Sequence, residues 1–167
     1  MTGRPCIRSL AAADHAWALE LNNAAVPHVS ALDAESLAAL MRMAGLAAKA
    51  ELDGAPAGLL IALEPGTAYG SANYRWFCDR YPAFVYIDRV IADPASRGRG
   101  VGRALYAHAV EFARARAPLL TCEVNEAPPN PASMRFHERF GFRPLGRQRT
   151  EGGAKRVVLL GLGLAET

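Results

Sequence analysis

Apolar residues along the chain switch repeatedly between two spacings, one typical of strands and one typical of helices. The clearest strand covers residues 84–92, a run rich in β-branched and aromatic side chains. The clearest helix covers residues 101–117, where Val101, Leu105 and Phe112 recur on one helical face. These two elements are consecutive, so the pattern predicts a strand that leads through a short turn into a helix.

Caps, turns and shorter apolar runs complete the predicted order of elements. The other predicted elements are strands at residues 6–10, 46–52, 56–63, 119–124, 143–149 and 156–164, and helices that begin at Asp14, Asp33 and Asn130. Asp53-Gly54 is a typical two-residue hairpin turn, and the aromatic-rich segment 65–82 is expected to be a loop. The resulting order, β α α β β β α β α β β, predicts a single α/β domain over residues 1–167 around a mixed sheet.

Composition is that of an ordinary globular protein and excludes several classes. Of the 167 residues, 51% are apolar and 21% are charged, a balance typical of folded rather than disordered chains. No apolar stretch approaches the roughly 18 residues that cross a bilayer. The three cysteines lack CxxC spacing and the start of the chain has no apolar leader, so we expect a cytoplasmic protein with no membrane contact and no metal site.

Charge is distributed unevenly between the two halves of the chain. Residues 1–88 carry six basic and nine acidic side chains, a formal charge of −3, whereas residues 89–167 carry thirteen basic and seven acidic ones, a formal charge of +6. A basic surface attracts anions over a long range, so the C-terminal half is the candidate anion-binding part. Seventeen of the nineteen basic residues are arginine, which reflects either the fit of arginine to phosphate or a coding bias.

The strongest local signal for a ligand is the turn Arg97-Gly98-Arg99-Gly100-Val101-Gly102, between the clearest strand and the clearest helix. Glycines let several backbone N–H groups face one anion, and the start of a helix adds roughly half a positive charge. The glycine spacing differs from the dinucleotide-binding fingerprint and from the P-loop. It therefore predicts either a phosphate site or simply a tight strand-to-helix corner.

Two segments of the chain together resemble a known family. Residues 90–102, with an Arg-x-x-Gly-x-Gly pattern, resemble motif A of the GNAT superfamily of N-acetyltransferases. The spacing of that family's later Asn-x-x-Ala-x-x-x-Tyr-x-x-x-Gly-Phe helix is matched by Asn130, Ser133, His137, Gly141 and Phe142. The resemblance implies a GNAT-like α+β domain, with a mixed, mostly antiparallel sheet of six to seven strands flanked by about four helices. It also implies transfer of an acetyl group from acetyl-coenzyme A to a primary amine by direct attack.

The same resemblance implies a binding path for coenzyme A. The turn would bind the pyrophosphate through backbone N–H groups, and the preceding strand would hydrogen-bond the pantetheine arm. One N–H of that strand would polarise the thioester carbonyl, a kind of donor that contributes about 3 kcal/mol. The implied cofactor-binding residues are Val90, Ile91, Ala92, Arg97, Gly98, Arg99, Gly100, Val101, Gly102, Arg103, Asn130 and Ser133. Asn130 could equally act only as the N-cap of its helix.

His137 stands where the family usually has the tyrosine that protonates the departing thiolate. A tyrosine with a pKa of about 10 keeps its proton at neutral pH, whereas a histidine with a pKa of about 6.5 is mostly neutral. Three interpretations stay open. His137 is the acid, or Tyr86 or Tyr81 has taken over the role, or the thiolate leaves unassisted.

The attacking amine also needs a proton acceptor, because an amine with a pKa of about 10.4 is almost wholly protonated near pH 7.5. Strand alternation places Tyr86 and Asp88 on one face of their strand, and Glu123 lies on the next strand. The glutamate that is usual in the family is replaced by Tyr86. Asp88 and Glu123 are therefore the candidate bases, although each could be an ordinary strand-end charge.

Three functions stay open on the sequence alone. The favoured one is an acyl-coenzyme A dependent N-acyltransferase for a small amine or a peptide, with a homodimer left open. The second is a sensor that binds acyl-coenzyme A without turnover, because the family's tyrosine is missing. The third, a nucleic-acid binder, is disfavoured because no basic stretch is interleaved with exposed aromatic residues.

Overall fold

A computed structural model describes residues 3–165 of the chain. Its strands are β1 (Cys6–Ser9), β2 (Leu46–Leu52), β3 (Ala55–Leu63), β4 (Val85–Ala92), β5 (Leu119–Ala127), β6 (Arg143–Thr150) and β7 (Lys155–Gly163). Its α-helices are α1 (His15–Ala24), α2 (Ala34–Met43), α3 (Ala72–Cys78), α4 (Val101–Arg114) and α5 (Pro131–Phe140). Within the described range, no helix has both the length and the apolar character needed to cross a membrane.

The strands hydrogen-bond to one another in the order β1-β2-β3-β4-β5-β7-β6. The pairs β1–β2, β2–β3, β5–β7 and β6–β7 are antiparallel, whereas β4 and β5 are parallel, with Val85 opposite Leu120 and Tyr86 opposite Thr121. The expected α+β class with a mostly antiparallel sheet of up to seven strands is confirmed. The described part has one helix more than the sequence pattern predicts.

The chain divides into two compact units, and the boundaries between them fall inside β4 and inside α4. Unit 1 comprises residues 3–63 and Ile87–Phe112, and unit 2 comprises Glu64–Tyr86 and residues 113–165. In unit 1, α4 approaches the sheet closely at Gly58. A Cβ on this glycine would lie 2.7 Å from Val101 Cγ1 and 2.9 Å from the Ile91 carbonyl oxygen, so only glycine lets the start of α4 pack here.

Helix α3 lies in unit 2, within the segment that was expected to be a loop, so that expectation is wrong. The helix has only seven residues and is rich in aromatic side chains, which have modest helix propensity. The Ser71 hydroxyl caps it by accepting from the Tyr74 N–H. The rings of Tyr74 and Phe77 are fully buried against Phe84 and Tyr86. Packing against the strand, rather than local preference, stabilises this helix.

Most of the caps and turns expected from the sequence are present. Asp33 accepts from the Ser36 N–H at 2.7 Å and begins α2, and the hairpin residues Asp53 and Gly54 both have positive φ. Gly141 ends α5 with a φ of 112°. Asp14 precedes α1 as expected, but its carboxylate accepts from the Ala11 N–H and from Lys49 Nζ rather than capping that helix.

Candidate active site

The glycine turn between β4 and α4 is an open corner of unit 1. Gly98 and Gly100 have φ values of 77° and 81°, a region that residues with a Cβ rarely adopt. A Cβ built at either glycine would have no atom within 4 Å. Glycine is thus required at both positions by the backbone conformation and not by crowding. Open space adjoins both glycines.

Backbone N–H groups at this corner lack acceptors. The first helical hydrogen bond of α4 runs from the Ala104 N–H to the Gly100 carbonyl at 3.0 Å. Within residues 3–165, the N–H groups with no hydrogen-bond acceptor include those of Gly98, Gly100, Val101, Gly102 and Arg103. Such donors at a helix N-terminus suit an anion, because the helix dipole adds to their partial positive charge. The corner therefore fits the phosphate site that the sequence predicts.

The arginines of this corner differ in their availability. The side chains of Arg97 and Arg103 are exposed and make no hydrogen bond or ion pair with residues of the described range. Arg99 is paired with Asp53 of the β2–β3 turn, with Nη2 2.6 Å from Oδ2. The hydrogen bonds from Arg99 and from the Gly3 N–H lower the pKa of Asp53. Two guanidinium groups are thus available to an anion, and the third is held by the hairpin.

The end of β4 presents backbone groups on its edge away from β3. The Asp93 N–H donates to the Ala57 carbonyl at 2.8 Å, so this residue faces β3. Successive residues of a strand direct their backbone groups to opposite edges, which places those of Val90 and Ala92 on the other edge. These are the positions that the family resemblance assigns to pantetheine. Ile91 between them is buried, and the same alternation directs its backbone groups towards β3.

Asp88 lies in a buried ion pair with its neighbour Arg89. Arg89 Nε donates to Asp88 Oδ2 at 2.8 Å, and the two side chains are only 4% and 5% exposed. Arg89 also donates from Nη1 to Asn22 Oδ1 at 2.7 Å and to the Ser30 carbonyl, and from Nη2 to Ser30 Oγ. The Asp88 carboxylate is therefore part of a network that connects β4 to the segment after α1. No motif in the sequence indicates that Arg89 and Asn22 belong to this network.

Tyr86 and Glu123 form a hydrogen-bonded pair in unit 2. The fully buried Tyr86 donates its hydroxyl proton to Glu123 Oε2 at 2.7 Å, and Glu123 is half-buried. The tyrosine ring lies 5.6 Å from the ring of Tyr74 and 5.8 Å from that of Phe77. This packing fixes the hydroxyl, so the pair holds the Glu123 carboxylate in a defined position.

His137 is buried on α5. Its Nδ1 lies 2.7 Å from the Ser133 carbonyl oxygen, one helical turn earlier, which makes Nδ1 the protonated nitrogen. The imidazole packs edge-on against Phe136 and Phe142. Burial lowers the pKa of His137, and the hydrogen bond to the Ser133 carbonyl opposes this only in part. The ring is therefore mainly neutral at neutral pH.

Three other candidates have evident structural contacts. Asn130 Oδ1 accepts from the Ser133 N–H at 3.3 Å, so the Asn130 side chain caps α5. The ring of Tyr81 packs against Trp76 and Phe77, with centroids 6.4 and 6.3 Å away. These contacts leave the predicted roles of Asn130, Ser133 and Tyr81 as predictions.

Comparison with known proteins gives a consistent picture. A family model described as the acetyltransferase (GNAT) family matches residues 14–142. The peptidyl-lysine N-acetyltransferase YjaB of Escherichia coli is 38% identical over 77 residues, which cover 46% of this chain and 48% of that protein. The chain thus spans about half the length of this curated relative.

Solved structures show the same fold. Ard1 from Thermoplasma volcanium has a TM-score of 0.79 and 14% identity, with 98% of this chain and all of that one covered. The protein yncA from Salmonella typhimurium, solved with its cofactor acetyl-coenzyme A, has a TM-score of 0.71 and 20% identity, with 99% of this chain and 96% of that one covered.

Proposed function

Because this chain belongs to the GNAT acetyltransferase family, we propose that it transfers an acetyl group from acetyl-coenzyme A to a primary amine. The observation that carries the proposal is the open corner before α4, where five backbone N–H groups have no acceptor, two arginine side chains are unpaired, and no atom lies within 4 Å of a Cβ built at Gly98 or Gly100. This arrangement favours a multiply charged anion such as a pyrophosphate.

The residues of unit 1 would hold the cosubstrate. The five N–H groups without acceptors bind the pyrophosphate, and the side chains of Arg97 and Arg103 neutralise its charge. The outward backbone groups of Val90 and Ala92 bind the pantetheine amides. When bound, the thioester supplies the acyl group together with a thiolate leaving group. Asp88 is given no role in proton transfer in this proposal, because protonation of its carboxylate would break the buried ion pair with Arg89.

Glu123 is the proposed general base. A carboxylate accepts the proton of the attacking amine directly or through one water molecule. Tyr86 acts as a positioning residue, because its hydroxyl donates to Glu123 and so fixes the carboxylate. The same hydrogen bond makes Tyr86 a poor source of a proton for the thiolate, which argues against the alternative that Tyr86 is the acid.

The leaving thiolate departs without an acid from the chain at neutral pH. The lowered pKa of His137 makes its cation scarce, and in the neutral ring the one proton lies on Nδ1 and is donated to the Ser133 carbonyl. We therefore propose unassisted departure, which the contacts of His137 and Tyr86 support. These contacts do not bear on Tyr81, whose role as the acid stays a prediction. His137 acts in the packing of α5.

A lysine side chain of a peptide or protein is the acceptor to test first. The relative named as a peptidyl-lysine N-acetyltransferase supports this choice. A small amine is the competing acceptor, and equal concentrations of the two in one assay separate them by kcat/KM.

Thermal unfolding with coenzyme A tests the cofactor step. A ligand present at 100 times its Kd stabilises the folded state by about 2.7 kcal/mol, so the Tm should rise by several degrees. Gly100→Asp places a side chain and a negative charge in the corner and should abolish this rise. An unchanged Tm of the wild-type chain at saturating coenzyme A would refute the assignment of the corner.

Release of free thiol from acetyl-coenzyme A tests the transfer step. We expect release that depends on a lysine peptide or an amine and that is lost in Glu123→Gln. Stabilisation by coenzyme A without thiol release for any amine would instead support a sensor that binds the thioester and does not turn it over.

A further inference from the structure

Three arginines share one face at the β6 edge of the sheet in unit 2. Arg147 and Arg149 are two residues apart on β6, so strand alternation places them on the same face. Arg156 on β7 lies directly opposite Arg149, and opposed residues of an antiparallel pair also share a face. We call Arg147, Arg149 and Arg156, with the neighbouring Glu126, the arginine face.

The arginine face has too few carboxylates for its charges. Glu126 Oε1 accepts from Arg147 Nε at 3.2 Å, and Glu126 Oε2 accepts from Arg156 Nε at 2.9 Å. Both oxygens of the one acid are thus engaged, and three guanidinium groups retain a net charge of +2. The Arg149 side chain makes no hydrogen bond or ion pair with any residue from 3 to 165.

The guanidinium donors of this face are accessible. The side chains of Arg147 and Arg156 are 57% and 44% exposed, and Arg149 is exposed as well. Like charges directly opposite each other on a sheet are destabilising, so the pair Arg149–Arg156 lowers the stability of the isolated hairpin. A ligand carboxylate at Arg149 would remove that repulsion, as Glu126 does between Arg147 and Arg156.

The position of β6 limits the shape of such a ligand. In the described part of the chain β6 pairs only with β7 and ends the strand order, so its other edge is open to an extended peptide. Alternate side chains of an added strand lie on one face, about 6.7 Å apart, which is also the separation of Arg147 and Arg149 along β6. A peptide with acidic residues at alternate positions would therefore place one carboxylate beside each arginine.

We propose that the arginine face and the open edge of β6 form a binding surface for an extended acidic polypeptide segment with Glu or Asp at every second position. A second copy of this chain is a poor occupant, because pairing two β6 edges would place arginines against arginines. The inference does not depend on the proposed acetyl transfer. It gives a role to part of the basic excess in residues 89–167 that the corner before α4 does not use.

Fluorescence anisotropy with the full chain tests the proposal. The probe is a short labelled peptide with blocked ends and no lysine, in which glutamate alternates with threonine or valine. A matched peptide of the same composition has its glutamates in adjacent pairs, so that half of them lie on the wrong face. We expect saturable, salt-sensitive binding of the alternating peptide and binding several-fold weaker for the paired one.

Variants of the chain connect the binding to this face. A surface ion pair contributes a factor of up to about five in affinity, and charge reversal adds repulsion to its loss, so Arg149→Glu should weaken the alternating peptide about tenfold. Arg149→Gln should weaken it about threefold and covers the case in which charge reversal perturbs folding. The matched control is Arg42→Glu, the same charge change at an exposed arginine of α2 in unit 1, which should leave the Kd unchanged.

Several results would overturn the proposal. These are the absence of saturable binding, equal binding of the two peptides, or an unaltered Kd in both Arg149 variants. The first of these would mean that the edge arginines only deter strand pairing. A single-stranded oligonucleotide of the same charge that bound as tightly, and was weakened equally by Arg149→Glu, would make the face a nucleic-acid surface instead.

Discussion

Replacing Tyr86 with phenylalanine isolates the hydrogen bond on which the proposed proton transfer depends. The substitution removes one oxygen and keeps the ring that packs against Tyr74 and Phe77. A hydrogen bond to a charged group contributes about 1.5–3 kcal/mol, and water replaces part of it here because Glu123 is half-buried. We therefore expect a loss of about 1.4 kcal/mol in transition-state stabilisation, which lowers kcat/KM about tenfold.

A neighbouring tyrosine provides the matched control. Tyr74 is also fully buried, and its hydroxyl donates to the Glu64 carbonyl at 2.8 Å and accepts from the Thr67 N–H. Tyr74→Phe should lower the free energy of unfolding by about 1 kcal/mol, as Tyr86→Phe does, but should leave kcat near the wild-type value. The comparison separates a general loss of stability from the loss of carboxylate positioning.

The assay is release of thiol from acetyl-coenzyme A at varied acceptor concentration, with unfolding in urea measured in parallel. The KM for acetyl-coenzyme A should be unchanged in Tyr86→Phe, because this side chain is not assigned to cofactor binding. Tyr86→Phe should also have little further effect in a Glu123→Gln background, since the two residues act as a unit. The reasoning is refuted if Tyr86→Phe and Tyr74→Phe have the same kcat, or if the effects of Tyr86→Phe and Glu123→Gln are additive.

Three further substitutions test other parts of the structure by urea unfolding. Arg89→Ala leaves the buried Asp88 carboxylate without its cation and should lower the free energy of unfolding by about 3–5 kcal/mol; a change below 1 kcal/mol would contradict the buried ion pair. Gly58→Ala places a Cβ 2.9 Å from the Ile91 carbonyl and should destabilise by about 1–3 kcal/mol, whereas an unchanged midpoint would show that α4 can move away. Burial lowers the pKa of His137 in the folded state, so below a pH of about 6.5 the unfolded chain binds a proton at this histidine more readily than the folded chain does. The free energy of unfolding is therefore unaffected by His137 above that pH and falls as the pH drops towards the folded-state pKa. The wild-type chain should therefore lose more stability than His137→Gln between pH 7 and pH 5, and parallel pH dependences would exclude this account.

Local signals in the sequence were reliable where one short segment determines its own conformation. The cap at Asp33, the hairpin at Asp53-Gly54 and the Asn130 to Gly141 boundaries of α5 follow from side-chain hydrogen bonds or positive φ within a few residues. The same holds for the glycine corner, because its conformation requires glycine at defined positions. The resemblance to the GNAT family, which rests on two such segments, is confirmed.

Contacts between distant residues were beyond local reasoning. Helix α3 has no strong pattern of its own, and its stability comes from rings that meet only after β4 is in place. The Arg89 network joins residues 67 positions apart in the chain. No periodicity or spacing encodes these pairs, so the sequence indicated Asp88 only as a candidate base or an ordinary strand-end charge, and not as the partner of Arg89.

This difference explains why the two halves of the proposed reaction were not equally accessible from the sequence. Cofactor binding uses backbone N–H groups, and the residues that expose them form one continuous stretch with a recognisable glycine spacing. Proton transfer depends on which side chain lies beside which carboxylate, and Tyr86 and Glu123 are 37 positions apart on parallel strands. A chain can therefore keep the motif for cofactor binding while its acid and base change from one side chain to another. Under the proposed function, the histidine at position 137 and the donation from Tyr86 to Glu123 belong to one such rearrangement, in which the carboxylate on β5 is the proposed base.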